Sequence, residues 1–155
     1  TDTEVDEYIQ VTVGFSDVYS AFKWLSPSIA VLGEAIYTRN DLGESDLEPE
    51  SYLVTDDAWG YQFIVVPRYY NVIRQGLDVN VQLSFRHDVS GYGNAIALGN
   101  GLEEDQKRAG IKVTGNYLDN WQVTAQYAWY FDEKDDLENA LEDRDNFSIA
   151  VKYRF

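Results

Sequence analysis

The chain has 155 residues, a formal net charge of −15, 45% hydrophobic and 15% aromatic residues, no cysteine, and a mean hydropathy of −0.39. An acidic excess of this size argues against nucleic acid, which needs a basic stripe, and the negative hydropathy leaves no run of about twenty apolar residues for a membrane-crossing helix. The lack of cysteine removes disulfides and Cys/His metal patterns and fits a periplasmic folding route.

Taken in chain order, the sequence alternates. Ile9, Val11, Val13 and Phe15 stand against Gln10, Thr12, Gly14 and Ser16, and side chains that alternate in this way belong to a strand with one greasy and one polar face. A link over 20–27, with Trp24 at an expected interface, leads to a second strand over 28–39. There Ile29, Val31, Ala35 and Tyr37 oppose Glu34, although Leu32 and Ile36 share the Glu34 side. A long acidic connection over 41–58 follows. The third strand, 59–71, is apolar on both faces around Phe63-Ile64-Val65-Val66. Ile73-Arg74-Gln75-Gly76 is a short turn, and the fourth strand, 77–86, alternates cleanly from Leu77 to Arg86. A second long connection covers 88–106. Ile111, Val113, Gly115 and Tyr117 then alternate with Lys112, Thr114 and Asn116, and Leu118-Asp119-Asn120 is a short turn. The sixth strand, 121–131, sets its odd positions against Gln122, Thr124 and Gln126. A third long acidic connection, 132–145, leads to a closing strand, 146–155, with Phe147, Ile149, Val151, Tyr153 and Phe155 on one face.

Seven antiparallel up-and-down strands are therefore predicted, with almost no helix. Most are ten to thirteen residues long, where a soluble strand has about five or six. At about 3.3 Å per residue and a tilt near 45°, ten residues cross roughly 25 Å, the apolar band of an outer-membrane barrel. The predicted fold class is all-β, a single transmembrane up-and-down β-barrel segment over 1–155 in the bacterial outer membrane. Abundant Tyr, Phe and Trp suit the aromatic girdles of such a barrel. Val151, Tyr153 and the terminal Phe155 resemble the closing-strand signal read by the barrel-assembly machinery.

Loop length orients the strands, because short turns are periplasmic and long loops extracellular in bacterial barrels. The last strand then runs downward, and Phe155 reaches the periplasmic rim. Counting back seven strands places Thr1 to Asp6 on the extracellular side, whereas a single-chain bacterial barrel has an even strand number. The expectation is that amino-terminal strands are missing from this chain, that residues 1–155 do not close, and that both edges pair with those strands. No secretory signal stands at the amino terminus, as expected of a mature chain or of a piece of a larger protein.

Val79, Val81, Leu83, Val123, Ala125, Ile149 and Val151 are expected to face lipid; Asn80, Gln82, Lys112, Gln122, Gln126 and Lys152 are expected to face inward. The predicted lumen-lining set is Glu34, Arg68, Asp78, Asn80, Gln82, Arg86, Lys112, Asn116, Lys152 and Arg154, because a charge facing lipid at mid-membrane costs about 2–4 kcal/mol. Such a set would tune solute passage through a wet lumen, or its members would pair across strands and fill the interior. Asp41, Glu44, Asp46, Glu48, Glu50, Asp56 and Asp57 cluster in one long connection. Asp132, Glu133, Asp135, Asp136, Glu138, Glu142, Asp143 and Asp145 cluster in another. Carboxylates of this density could hold Ca²⁺, but neither connection has the spacing of a calcium loop; solvated loops beside an anionic lipopolysaccharide surface are the expectation. His87-Asp88 with Ser90 has the residue types of a rim hydrolase, yet strand neighbours point to opposite faces. No enzyme activity and no cofactor are expected.

Trp59-Gly60-Tyr61, Gly76-Leu77-Asp78, the run from Phe85 to Gly91, Asp143-Arg144-Asp145-Asn146-Phe147-Ser148 and Val151-Lys152-Tyr153-Arg154-Phe155 together resemble the carboxy-terminal part of the proteobacterial outer-membrane proteins grouped as domain of unknown function 1302. Leu32-Gly33-Glu34-Ala35 with Asn40-Asp41-Leu42 fits more loosely. The resemblance implies a large porin-like barrel that moves hydrophobic or lipid-like material with periplasmic and inner-membrane partners, and it assigns no catalytic residue. Two classes of function are thus expected: a channel or conduit for small solutes or hydrophobic compounds, and a structural barrel that presents acidic extracellular loops to a surface partner.

Overall fold

The computed structural model describes residues 7–20, 24–41, 55–93, 101–131 and 145–155. They form one antiparallel sheet of seven strands in sequence order: β1 (Glu7–Tyr19), β2 (Ser28–Asp41), β3 (Asp57–Tyr69), β4 (Leu77–Ser90), β5 (Lys107–Tyr117), β6 (Trp121–Phe131) and β7 (Asn146–Tyr153). Each strand pairs with its neighbour in the chain. β1 and β7 do not pair with each other, so the sheet is open, as expected. No helix is present among the described residues.

Every ladder preserves parity, apart from the shift between Trp59 and Gly60 at one end of the β3–β4 pair. Val11 lies opposite Tyr37, Tyr37 opposite Trp59, Phe63 opposite Phe85, Val81 opposite Val113, Val113 opposite Ala125, and Ala125 opposite Ile149. Because side chains alternate with a period of two, the odd positions of all seven strands share one face. Among the described residues most of that face is uncovered: Val13 and Ile149 are 69% and 63% exposed, and Val11, Leu83, Val123 and Val151 are exposed with them. Its aromatic rings gather toward the two ends. Trp59, Tyr61 and His87 meet at the end of the long connections, with Tyr61 and His87 centroids 5.5 Å apart, and Tyr127 and Trp129 lie 4.6 Å apart at the same end. At the end of the short turns Trp121 stacks on Tyr153 at 4.7 Å, and Tyr153 meets Phe155 edge-on at 5.0 Å. Aliphatic side chains and the rings of Phe15, Phe63 and Phe85 fill the rows between.

The strand ends differ from the sequence expectation at several places. β4 continues past Arg86 to Ser90, and β5 begins at Lys107, ahead of the alternating run from Ile111, because the ladder continues through Arg86 opposite Arg108 and His87 opposite Lys107. Tyr70 and Asn71 leave β3 for the turn, where the Asn71 N–H donates to Asp78 Oδ1 at 3.0 Å and Asn71 Oδ1 accepts from the Gly76 N–H at 2.9 Å. β7 stops at Tyr153. Arg154 leaves the ladder and exchanges hydrogen bonds with Asn120: its N–H donates to the Asn120 carbonyl at 2.9 Å, and its own carbonyl accepts from Asn120 Nδ2 at 3.1 Å.

Beyond β4 the chain turns back over the even-numbered face. Gly93 bridges to Leu102, and Leu102 is buried with Ile36 of β2 and Ala58 of β3. This contact explains why β2 carries the apolar Ile36 on its otherwise polar side; Leu32, on the same side, stays exposed. Gly91 makes the turn possible: its φ is +78°, and a Cβ there would collide with the Asp57 carbonyl and approach Thr55 Oγ1.

Gly76 also has a positive φ, +83°, but a Cβ there meets only the movable side chain of Leu118. Gly76→Ala is expected to cost about 1–2 kcal/mol, the usual penalty of left-handed backbone for an L-residue. Gly91→Ala is expected to cost more, since backbone must also shift. Urea unfolding midpoints of the two variants measure the difference.

Candidate functional site

The even positions form the second face, and all the predicted lumen-lining residues within the strands fall on it. Register places Glu34, Gln62, Arg86, Arg108 and Tyr130 in one row. Gln82, Lys112, Gln126 and Ser148 form a row nearer the short turns. Below that, Arg68 lies opposite Asn80, Asp78 opposite Asn116, and Gln122 opposite Lys152. Gln62 Nε2 donates to Glu34 Oε2 at 2.9 Å, and Gln122 Nε2 donates to Asn116 Oδ1 at 3.1 Å. Asn116, Lys152 and Arg154 share a small polar hollow at the short-turn rim, with Asp119 and Gln122. Arg68 stays exposed; its backbone N–H donates to the Ser26 hydroxyl at 3.1 Å, and that hydroxyl donates to its carbonyl at 2.7 Å.

The most strongly bonded group on this face includes a residue that the sequence reading had placed in a loop. Asp88 is in β4, two positions beyond Arg86, and i, i+2 spacing brings both side chains to one face. Arg86 Nε and Nη2 donate to the two Asp88 oxygens at 2.6 and 2.9 Å. The same Nη2 donates to the Gly101 carbonyl at 2.7 Å, and the Glu103 N–H donates to Asp88 Oδ2 at 3.3 Å. The Asp88 backbone N–H donates to the Gln106 carbonyl at 2.9 Å. Asp88 and Arg86 are 1% and 8% exposed, so the forked ion pair, stronger than a neutral hydrogen bond, sits in low dielectric and holds the returning arm of the connection at Gly101 and Glu103. A bulge between Trp59 and Gly60 realigns β3 with the end of β4 at this level, bending the strand as bulges do.

Sequence reasoning missed Asp88, Gln106 and Arg108. Asp88 and Gln106 fell in a presumed loop, and Arg108 preceded the alternating run from Ile111. Extending the period of two backward from Ile111 through Ala109 would have put Arg108 on the polar face. Arg108 Nη2 stands 3.7 Å from Asp88 Oδ2, while Arg108 Nε is buried with no hydrogen-bond partner.

His87 and Asp88 point to opposite faces. His87 Nδ1 lies 3.3 Å from the Tyr61 hydroxyl, Asp88 is held by Arg86, and Ser90 lies opposite Trp59. The trio is not gathered into one hydrogen-bonded site. Of the acidic clusters, Glu44, Asp46, Glu48, Glu50, Asp132, Glu133, Asp135, Asp136, Glu138, Glu142 and Asp143 lie outside the described residues, as do Thr1 to Asp6. Asp57 accepts from the Tyr37 hydroxyl, and Asp145 accepts from the Tyr127 hydroxyl at 2.9 Å and the Tyr130 N–H at 3.2 Å. Among the described residues no group of three His, Asp or Glu side chains is arranged to hold a metal ion.

A family described as "Protein of unknown function (DUF1302)" matches residues 2–155. Nothing among curated proteins or solved structures matches the chain.

Removing Asp88 strands a buried guanidinium, a change that costs about 3–5 kcal/mol where a buried pair is broken from one side. Asp88→Ala is expected to destabilise by about that amount and to open the connection over 91–106 to protease before the strands are cut. The double variant Arg86→Met/Asp88→Leu is expected to lose less than Asp88→Ala, because it leaves neither charge of the pair unpaired. Limited proteolysis followed by mass spectrometry reads both effects.

Proposed function

We propose that this chain, which belongs to the DUF1302 family, forms a wall of a bacterial outer-membrane β-barrel and lines a conduit for small solutes or hydrophobic, lipid-like compounds. The observation that carries the reading is the odd face. It is mostly apolar across seven strands, largely uncovered among the described residues, and bounded by aromatic rings at both ends. In water an apolar surface of that extent is unfavourable; in a bilayer it is the surface that lipid requires. From Leu77 to His87 the ladder spans eleven residues, about 25 Å of membrane at a tilt near 45°. The rings then stand at the two interfaces, where aromatic residues anchor.

The even face becomes the lumen wall in this reading. Its Gln, Asn, Lys and Arg side chains are wetted there and would be costly against lipid. The connection held by Arg86 and Asp88 lies on the same face, at the extracellular end, and so narrows the passage. Backbone groups at an open edge cannot stay unpaired in lipid, so further strands cover the edges of β1 and β7. Lipid and lipopolysaccharide contact the outer surface. The acidic long connections face the cell exterior, and the Phe155 end faces the periplasm.

Two measurements test the reading. Val81→Arg or Val123→Arg is expected to cost about 2–4 kcal/mol at mid-bilayer and to reduce the folded, heat-modifiable form in outer-membrane fractions. Asn80→Arg, one residue away on the polar face, is expected to leave it unchanged. Full-length protein in planar bilayers is expected to conduct. Equal folding of Val81→Arg and Asn80→Arg sinks the membrane assignment, and a folded protein that never conducts or passes solute favours a structural barrel whose loops bind a surface partner.

A further inference from the structure

The polar face is not uniform. Ser84 of β4 lies opposite Gly110 of β5, and Gly110 opposite Ala128 of β6. Three small side chains side by side leave a floor. Arg86, Arg108 and Tyr130 form the row above it; Gln82, Lys112 and Gln126 form the row below. The result is a hollow of about 260 Å³. Gly110 keeps it open, since a Cβ there would stand 2.9 Å from Ser84 Oγ.

Charge decides what the hollow suits. Its lining includes three cations and no carboxylate, in a chain whose net charge is −15. Arg86 is committed to Asp88 and Gly101. Arg108 is not satisfied in the same way. Asp88 already receives the forked Arg86 bond and the Glu103 N–H, which leaves Arg108 Nη2 only a contact at 3.7 Å and Arg108 Nε with no partner. Lys112 stands across the floor on the same strand, two positions beyond Gly110, and among the described residues no carboxylate lies within ion-pair distance of it. A guanidinium with donors to spare and an unpaired ammonium on the two walls of one hollow are complementary to an oxyanion, with Gln82, Gln126 and the Tyr130 hydroxyl placed to donate further bonds. The hydrogen bonds would be charge-assisted, the stronger kind. The volume suits a small anion or the headgroup and first carbons of an amphiphile, not a whole lipid.

We infer that the hollow over Ser84, Gly110 and Ala128 is an oxyanion site that takes a carboxylate or phosphate group through Arg108 and Lys112. Its place on the transport path rests on the conduit reading; its existence does not. Full-length protein in nonionic detergent, titrated calorimetrically with acetate, hexanoate and inorganic phosphate, tests it. Saturable binding of at least one of the three is expected, weakened at least about tenfold in Lys112→Gln and in Arg108→Gln. Binding is expected to be unchanged in Lys152→Gln, which removes a cation of the same face at the far rim. Gly110→Val fills the floor and is expected to weaken binding as well. Preference for phosphate assigns a phosphoryl headgroup, and preference for hexanoate over acetate assigns a carboxylate on an alkyl chain. No saturable binding of any of the three, or equal binding by the parent and Lys112→Gln, overturns the site. Lys112→Gln removes a side chain with no ion-pair partner, so its fold does not depend on the group removed. Binding in micelles without conductance in bilayers leaves the site standing and sinks the conduit.

Discussion

The structure depends on one constraint, the unbroken register of the antiparallel ladders. A strand has two faces because its side chains alternate, and a sheet has two faces only if every ladder keeps the same parity. Here six successive pairings place odd opposite odd. A slip of one residue in any of them would put Lys112 or Gln82 among valines and a valine among amides. The period of two in the sequence and the hydrogen bonds of the backbone thus reinforce each other, as expected of a sequence whose local and global preferences agree. The one place where the count shifts, between Trp59 and Gly60, lies at the end of β3, where the connection after β4 folds back and the shift does not propagate through the sheet.

From that division follow two different surfaces with different chemistry. The odd face is mostly apolar, and its side-chain hydrogen bonds, such as those of Tyr61 with His87 and Tyr127 with Asp145, lie toward the long connections. The even face has more donors and acceptors than it can satisfy within itself. It meets this need in several ways. Gln62 reaches Glu34, Gln122 reaches Asn116, and Arg86 with Asp88 draws in the connection over 91–106. The buried pair is costly to desolvate, a cost offset in part by the Gly101 carbonyl and the Glu103 N–H that bond to it. It fixes where the returning chain lies more than it adds to stability. Because Asp88 spends its capacity on Arg86 and on Glu103, the neighbouring Arg108 is left with an unmet donor. The positive hollow is therefore a consequence of the same pair.

Strand number, strand order and the assignment of residues to faces were legible in the sequence, because each rests on local alternation and on antiparallel neighbours joined by turns. The whole predicted set from Glu34 to Lys152 lies on one face for this reason. Strand ends were less legible. Asp88 looks like a loop residue, being charged and close to Gly91, but it pairs with Gly60 of β3 and its N–H bonds the Gln106 carbonyl, which keeps it in the sheet. The apolar Ile36 on a polar face had no explanation until Leu102 was found to cover it.

By itself the sequence determined the periodicity, and with it an amphipathic sheet of long strands whose two faces differ in kind. It also determined that His87 and Asp88 cannot share a face. Only the tertiary structure decided that the connection after β4 folds over the polar face, that Asp88 is a buried strand residue locked to Arg86, and that Ser84, Gly110 and Ala128 align into a floor between cations. The physical reason is range. Alternation is read between residues two apart, whereas the ion pair's backbone partners and the alignment of small side chains depend on register between strands distant in sequence, set by the sum of all the ladder bonds rather than by any one segment.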